Sequence, residues 1–143
     1  MSAEQRFPEV RQVVLDTTDA RALAEFYRQL LGWRYRPGDE RPSPGESDSR
    51  GREWLVLWSP DGSQKIAFQN VEALPRATWP EGPIPQQLHL DMTVSTMAEL
   101  DAQHERALGL GAELLLDRAD DSVEPLRVYG DLAGHPFCIF VAP

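Results

Sequence analysis

Cysteine is nearly absent. Cys138 stands alone among 143 residues, so no intrachain disulfide can form, and a structural zinc site needing two or more thiolates is excluded. A reducing compartment suits such a chain, and the cytoplasm is the expected location. Long apolar runs are missing too. Nothing approaches the roughly 18–20 residues of a membrane-spanning helix. Met1 to Val10 carries Glu4, Arg6 and Glu9 with no apolar stretch, so no secretory signal is expected. Basic charge is scarce. Fourteen Lys and Arg face 23 Asp and Glu, a net charge of −9, and that potential repels phosphate backbones, which argues against a nucleic-acid partner.

What is present is periodicity. Val10–Thr17 alternates like a strand, with Val13, Leu15 and Thr17 on one face and Gln12, Val14 and Asp16 on the other. Leu23, Phe26, Tyr27, Leu30 and Leu31 then make one apolar helical stripe. Thr18 or Asp19 can cap its start, and Gly32 can stop it in the left-handed conformation. Trp33–Tyr35 reads as a short strand. Pro37–Arg52, rich in Pro, Gly, Ser and charge, reads as an exposed, mobile loop. Glu53–Trp58 and Lys65–Val71 form a hairpin around Ser59-Pro60-Asp61-Gly62-Ser63.

After a Pro-rich linker the order repeats. Gln87–Val94 is a strand, Thr96 and Glu99 fit a capping box for a helix buried through Leu100, Ala107 and Leu108, and Gly109 and Gly111 end that helix. Ala112–Leu116 is a strand and Asp117–Pro125 an acidic loop. Leu126–Gly130 and Pro136–Ala142 close as a hairpin. At one constant offset Gln12 aligns with His89, Thr18 with Ser95, Leu23 with Leu100 and Gly32 with Gly109. A period of about 75 residues is too long for a solenoid. The pattern predicts a single α+β domain over 1–143, built from two βαβββ modules, 10–73 and 86–142, joined by linker 74–85.

Each sheet must turn an apolar face to its helix. In the second half Leu88, Leu90, Met92 and Val94 would do so, leaving Gln87, His89, Asp91 and Thr93 for water or a cavity. Two curved sheets side by side would wall a cleft into which His89 and Asp91 project. A lone strand histidine is more often a surface or core residue, but here imidazole and carboxylate share one face. They are the candidate acid–base pair. His104 reads as packing and His135 as a turn residue.

Three stretches carry a resemblance: VVLDTTDARALAEFYRQLLG (Val13–Gly32), QLHLDMTVSTMAELDAQHERALGLG (Gln87–Gly111) and YGDLAGHPFCIFV (Tyr129–Val141). Together they make the chain resemble the vicinal oxygen chelate (VOC) superfamily, in its glyoxalase-like and bleomycin-resistance-like branches. The resemblance implies paired βαβββ modules in a curved, cup-shaped mixed sheet, often a homodimer, and in the enzymes one divalent metal such as Zn, Ni, Mn or Fe. Its ligand positions fall on Gln12, His89, Ala67 or Gln69, and Cys138. Neither position normally held by Glu keeps a carboxylate, so only Gln12 and His89 remain as metal ligands of the usual kind, and the set argues for no metal.

Two functions follow as expectations. One is a lyase- or isomerase-type enzyme with a degenerate metal site, working through His89 and Asp91 on a small polar metabolite. The other is a non-catalytic protein that sequesters a drug or metabolite, as bleomycin-resistance proteins do. In both, a small-molecule ligand would meet Gln12, Asp16, Gln69 and Cys138, with Trp54, Trp58, Trp79 and Phe140 as aromatic walls.

Overall fold

The fold follows from local signals that take effect where the sequence places them. A computed structural model describes residues 6–142. Strand β1 (Val13–Thr17) leads into helix α1 (Ala20–Leu31). Of the two capping candidates Asp19 serves, its carboxylate accepting from the Ala22 amide at 3.1 Å. Gly32 ends the helix at φ 68°, a backbone geometry that costs an L residue about 1–2 kcal/mol. Strand β2 (Arg34–Tyr35) follows, then a single 3-10 turn at Arg50–Arg52, and the hairpin β3 (Trp54–Trp58) and β4 (Lys65–Asn70).

The second half repeats the order with β5 (Leu90–Val94), α2 (Met97–Gly109), β6 (Glu113–Arg118), β7 (Leu126–Gly130) and β8 (Pro136–Val141). The capping box forms, with one adjustment. Thr96 Oγ1 accepts from the Glu99 amide, and the Glu99 carboxylate reaches the amide of Ser95 rather than that of Thr96.

Each half builds a four-stranded mixed sheet of the same topology, β1-β4-β3-β2 and β5-β8-β7-β6. In each, the first strand pairs in parallel with the last, Val14 opposite Ala67 and Asp91 opposite Cys138. The α+β class is as expected. The two sheets stay separate and do not close into a barrel.

One core serves both halves, and α1 is its hub. Ala20, Leu23, Ala24, Phe26, Tyr27 and Leu30 are all buried. The Tyr27 ring stacks on Phe68 of β4 at 5.8 Å and meets Phe137 of β8 edge-on at 6.1 Å. Phe26 lies 5.9 Å from Phe137, which stacks on Tyr129 at 5.3 Å. Helix α2 contributes only Leu100 and Ala107. Two expected core residues differ: Leu88 and Leu108 are exposed. Leu88 precedes the point where β5 begins pairing, and Leu108 lies one position past the buried Ala107, off the narrow face that α2 turns inward.

Residues 37–52 are also tied down more than their composition suggests. The Asp39 carboxylate, wholly buried, accepts from the Val56 amide at 3.0 Å and pairs with Arg36 and Arg50. Arg21 holds Asp48 at 2.8 Å and the Asp39 carbonyl at 2.6 Å. Turn-forming residues mark a loop, and charge pairs across more than ten residues fix this one.

Candidate functional site

Antiparallel and parallel register together lay out the outer face of the second sheet in cross-strand rows. Asp91 faces Cys138, Cys138 faces Val128, and Val128 faces Leu116. In a neighbouring row Phe140 faces Leu126, and Leu126 faces Arg118. Residues paired this way share one side of a sheet, and these form the floor of a cavity of about 330 Å3. Trp79, Gln86, His89, Glu124 and Pro136 complete its walls.

Trp79 reaches the cavity from the linker. Thr78 and Ile84 close residues 78–84 into a small loop, Thr78 N donating to the Ile84 carbonyl at 2.7 Å and the Ile84 amide to Thr78 Oγ1 at 2.9 Å. Arg76 anchors the approach by donating to the carbonyls of Leu132 and Asp131. The segment that composition marks as a spacer is a wall of the site.

Three polar features define what the cavity can do. His89 Nε2 lies 3.2 Å from Asp91 Oδ1, with side chains 47% and 58% exposed, so the pair stands at the mouth rather than in the depths. Gln86 Oε1 is buried and meets no hydrogen-bond donor. The Cys138 thiol on the floor is pushed up to about 11, first by burial and then by the charges of Asp91 and Glu124. With no metal bound it stays protonated at neutral pH and is a poor nucleophile.

The remaining candidates divide between other places. Asp16, Gln69 and Trp54 are cross-strand neighbours on the first sheet, in one row. Trp58 sits nearby with Arg34 and Lys65 over its ring at 5.7 and 5.5 Å. Asp16 borders a second cavity of about 340 Å3 where β1 meets the residues before β5, and its carbonyl accepts from His135 Nε2 at 2.6 Å. That bond gives the turn residue His135 a role in joining the halves. Gln12 lines a third cavity, about 560 Å3, shared with Asp91 and Thr93. Trp54, Trp58 and Gln69 line none of these three cavities. The structure thus gathers His89, Asp91, Trp79, Cys138 and Phe140 in one place, and leaves Gln12, Asp16, Trp54, Trp58 and Gln69 outside it. Gln86, Arg118 and Glu124 were not among the expected residues. Glu124 carries no periodic signal, and Arg118 lies on a stretch read as acidic loop that is in fact the end of β6.

The donor set does not fit a divalent cation. Ala67 offers no donor atom and is fully buried. Gln12 and His89 border different cavities. Among the described residues, no three His, Cys, Asp or Glu side chains converge as a metal site requires.

With this geometry in view, comparison with known proteins settles the family. The family model described as a glyoxalase-like domain matches residues 12–140. The chain belongs to the glyoxalase-like family. Solved structures agree on the fold of this glyoxalase-like protein. A glyoxalase/dioxygenase from Nostoc punctiforme superposes with a TM-score of 0.69 at 19% identity, covering 99% of both chains. A point mutant of the genomically encoded fosfomycin resistance protein FosX from Listeria monocytogenes, complexed with Mn(II) and 1S,2S-dihydroxypropylphosphonic acid, gives 0.68 at 16%, covering 96% of this chain and 95% of that one. A glyoxalase/bleomycin resistance protein/dioxygenase family enzyme from Burkholderia phytofirmans gives 0.67 at 22%, covering 92% and 97%. At these identities the likeness is one of fold. No curated protein matches the glyoxalase-like chain.

Proposed function

We propose that this glyoxalase-like chain binds a small organic molecule in the cavity over its second sheet, without a protein-held metal. One observation carries the reading. A cavity of about 330 Å3 is walled by Trp79 and Phe140 over an apolar floor of Leu116, Leu126 and Val128. The rings and the floor supply contact area for a small organic body. In this form the protein holds its ligand without changing it, as a bleomycin-resistance-like sequestering protein would.

The His89–Asp91 pair favours a second reading, a lyase- or isomerase-type enzyme. Asp91 orients the imidazole through Nε2, leaving Nδ1 to take a proton from a bound metabolite. The two readings part on Asp91→Asn. An enzyme turns a bound metabolite over and loses that turnover on Asp91→Asn, whereas a binder shows no turnover in either form. Thermal shift against a ligand panel tests both, since stabilisation follows affinity. Trp79→Ala should abolish the shift, and stoichiometric Ni, Zn, Mn or Fe in the purified protein would overturn the metal-free reading. A cytoplasmic location and a homodimer belong to the same proposal. The lone cysteine supports the first, and sedimentation tests the second.

A further inference from the structure

We infer that residues 72–87 form a lid over the second-sheet cavity, latched by Arg76 and carrying Trp79 into the cavity wall. Among the described residues, the main chain of this segment makes no backbone hydrogen bond to either sheet. Its one backbone bond, Thr78 to Ile84, lies within the segment. None of its residues is buried. Hollows lie beside it in place of packed core. Leu74, Ala77 and Ile84 border the cavity of about 340 Å3 between the halves, and Trp79 borders the cavity of about 330 Å3 over the second sheet. Backbone with few buried contacts is the part of a fold that opens at least cost.

Among the described residues, the polar ties from this segment to the body all come from Arg76. Its guanidinium donates to the Leu132 carbonyl at 3.0 Å and the Asp131 carbonyl at 3.3 Å, and lies 3.5 Å from Glu113. A Cβ on Gly134 would come within 3.1 Å of Arg76 Cβ, so the stem of the latch seats directly on the β7–β8 turn. Beyond the latch the segment is stiff. The paired bonds between Thr78 and Ile84 close it on itself, and Pro80, Pro83 and Pro85 each fix a φ angle. Such a unit swings as a whole, bends at its flanks and takes Trp79 with it. Closed, it shields Cys138, which is 8% exposed on the cavity floor.

Alkylation of Cys138 by iodoacetamide in the full chain reads the lid without any ligand. Arg76→Met keeps the stem and removes the donors. It should speed labelling about tenfold, the worth of one or two hydrogen bonds. The gain should hold across the titration of the thiol, and both rates should stay nearly flat in urea below the unfolding transition, as local opening requires. Trp79→Ala should speed labelling by itself, and Arg76→Met should then add little. Equal labelling of wild type and Arg76→Met overturns the latch. So does a gain that comes from a shifted thiol titration, or one that persists in full without Trp79. Labelling that climbs steeply with urea reports global unfolding and overturns the lid. A chain that shows the expected rates yet binds nothing in a ligand panel keeps the lid and loses the proposed function, so the two fail separately.

Discussion

The Tyr27 hydroxyl donates a 2.6 Å hydrogen bond to Asp131 Oδ2, tying the helix of the first half to the β7–β8 turn of the second. The other carboxylate oxygen of Asp131 accepts from the amides of Ala133 and His135. Tyr27→Phe should therefore destabilise the protein by about 1–3 kcal/mol, because it strands a buried acceptor. Chemical denaturation measures this.

The same carboxyl sets a pH dependence. Burial raises Asp131 above its ordinary 3.8, against the opposing pull of the Tyr27 hydrogen bond and of His135 and the turn amides. The folded state then holds this proton more readily than the unfolded chain. Its contribution to stability is largest below 3.8, falls as pH rises through the window up to the raised folded value, and is flat above it. The difference in stability between wild type and Asp131→Asn should decline across that window. A difference that grows with pH would contradict the assignment.

Asp48 should behave in the opposite sense. The Arg21 hydrogen bond, and after it the Gly51 amide, hold its carboxyl below 3.8. This stabilisation is present above the ordinary value and is lost as pH falls through the folded one. Asp48→Asn should cost about 1 kcal/mol at neutral pH, with the gap to wild type closing on acidification below 3.8. Gly51→Ala should be at least as damaging, since a Cβ there would come within 2.2 Å of the Asp48 carboxylate.

Cys138 offers a chemical readout of the cavity. With its thiol near 11 rather than 9.0, iodoacetamide at about pH 8 should alkylate it roughly 100-fold more slowly in the folded protein than in urea. A ligand bound over the floor should slow the reaction further. Rapid labelling of the folded chain would place the thiol in a different environment.

Gly32→Ala isolates the backbone contribution. No heavy atom lies within 4 Å of the added Cβ, and φ is 68°. A loss of about 1–2 kcal/mol should therefore appear as strain alone, with no steric addition. The shift in denaturation midpoint at unchanged m-value tests it.

Much of this was legible in the sequence because the signals are local. The stripe through Leu23, Phe26, Tyr27 and Leu30 made α1, and all four side chains are buried. Alternation put Leu15 and Thr17 inside and His89 and Asp91 together on the other side. The segment before β5 shows the limit. Alternation predicts a strand from Gln87, yet pairing starts at Leu90. Leu88 is left exposed, bordering the cavity between the halves. Trp54 and Trp58 show another. Aromatic character marks them as wall material, but the row to which each strand position belongs depends on register, and theirs is on the first sheet.

The sequence by itself determined the duplicated order of elements, their caps and stops, and the sidedness of each strand, since these depend on residues within about four positions of one another. Tertiary structure alone decided that the linker brings Trp79 to the second sheet, that Gln86, Glu124 and Arg118 join it, and that α1 rather than α2 carries the shared core. Those outcomes depend on cross-strand register and on packing between segments tens of residues apart, where no periodicity in the chain records which surfaces will meet.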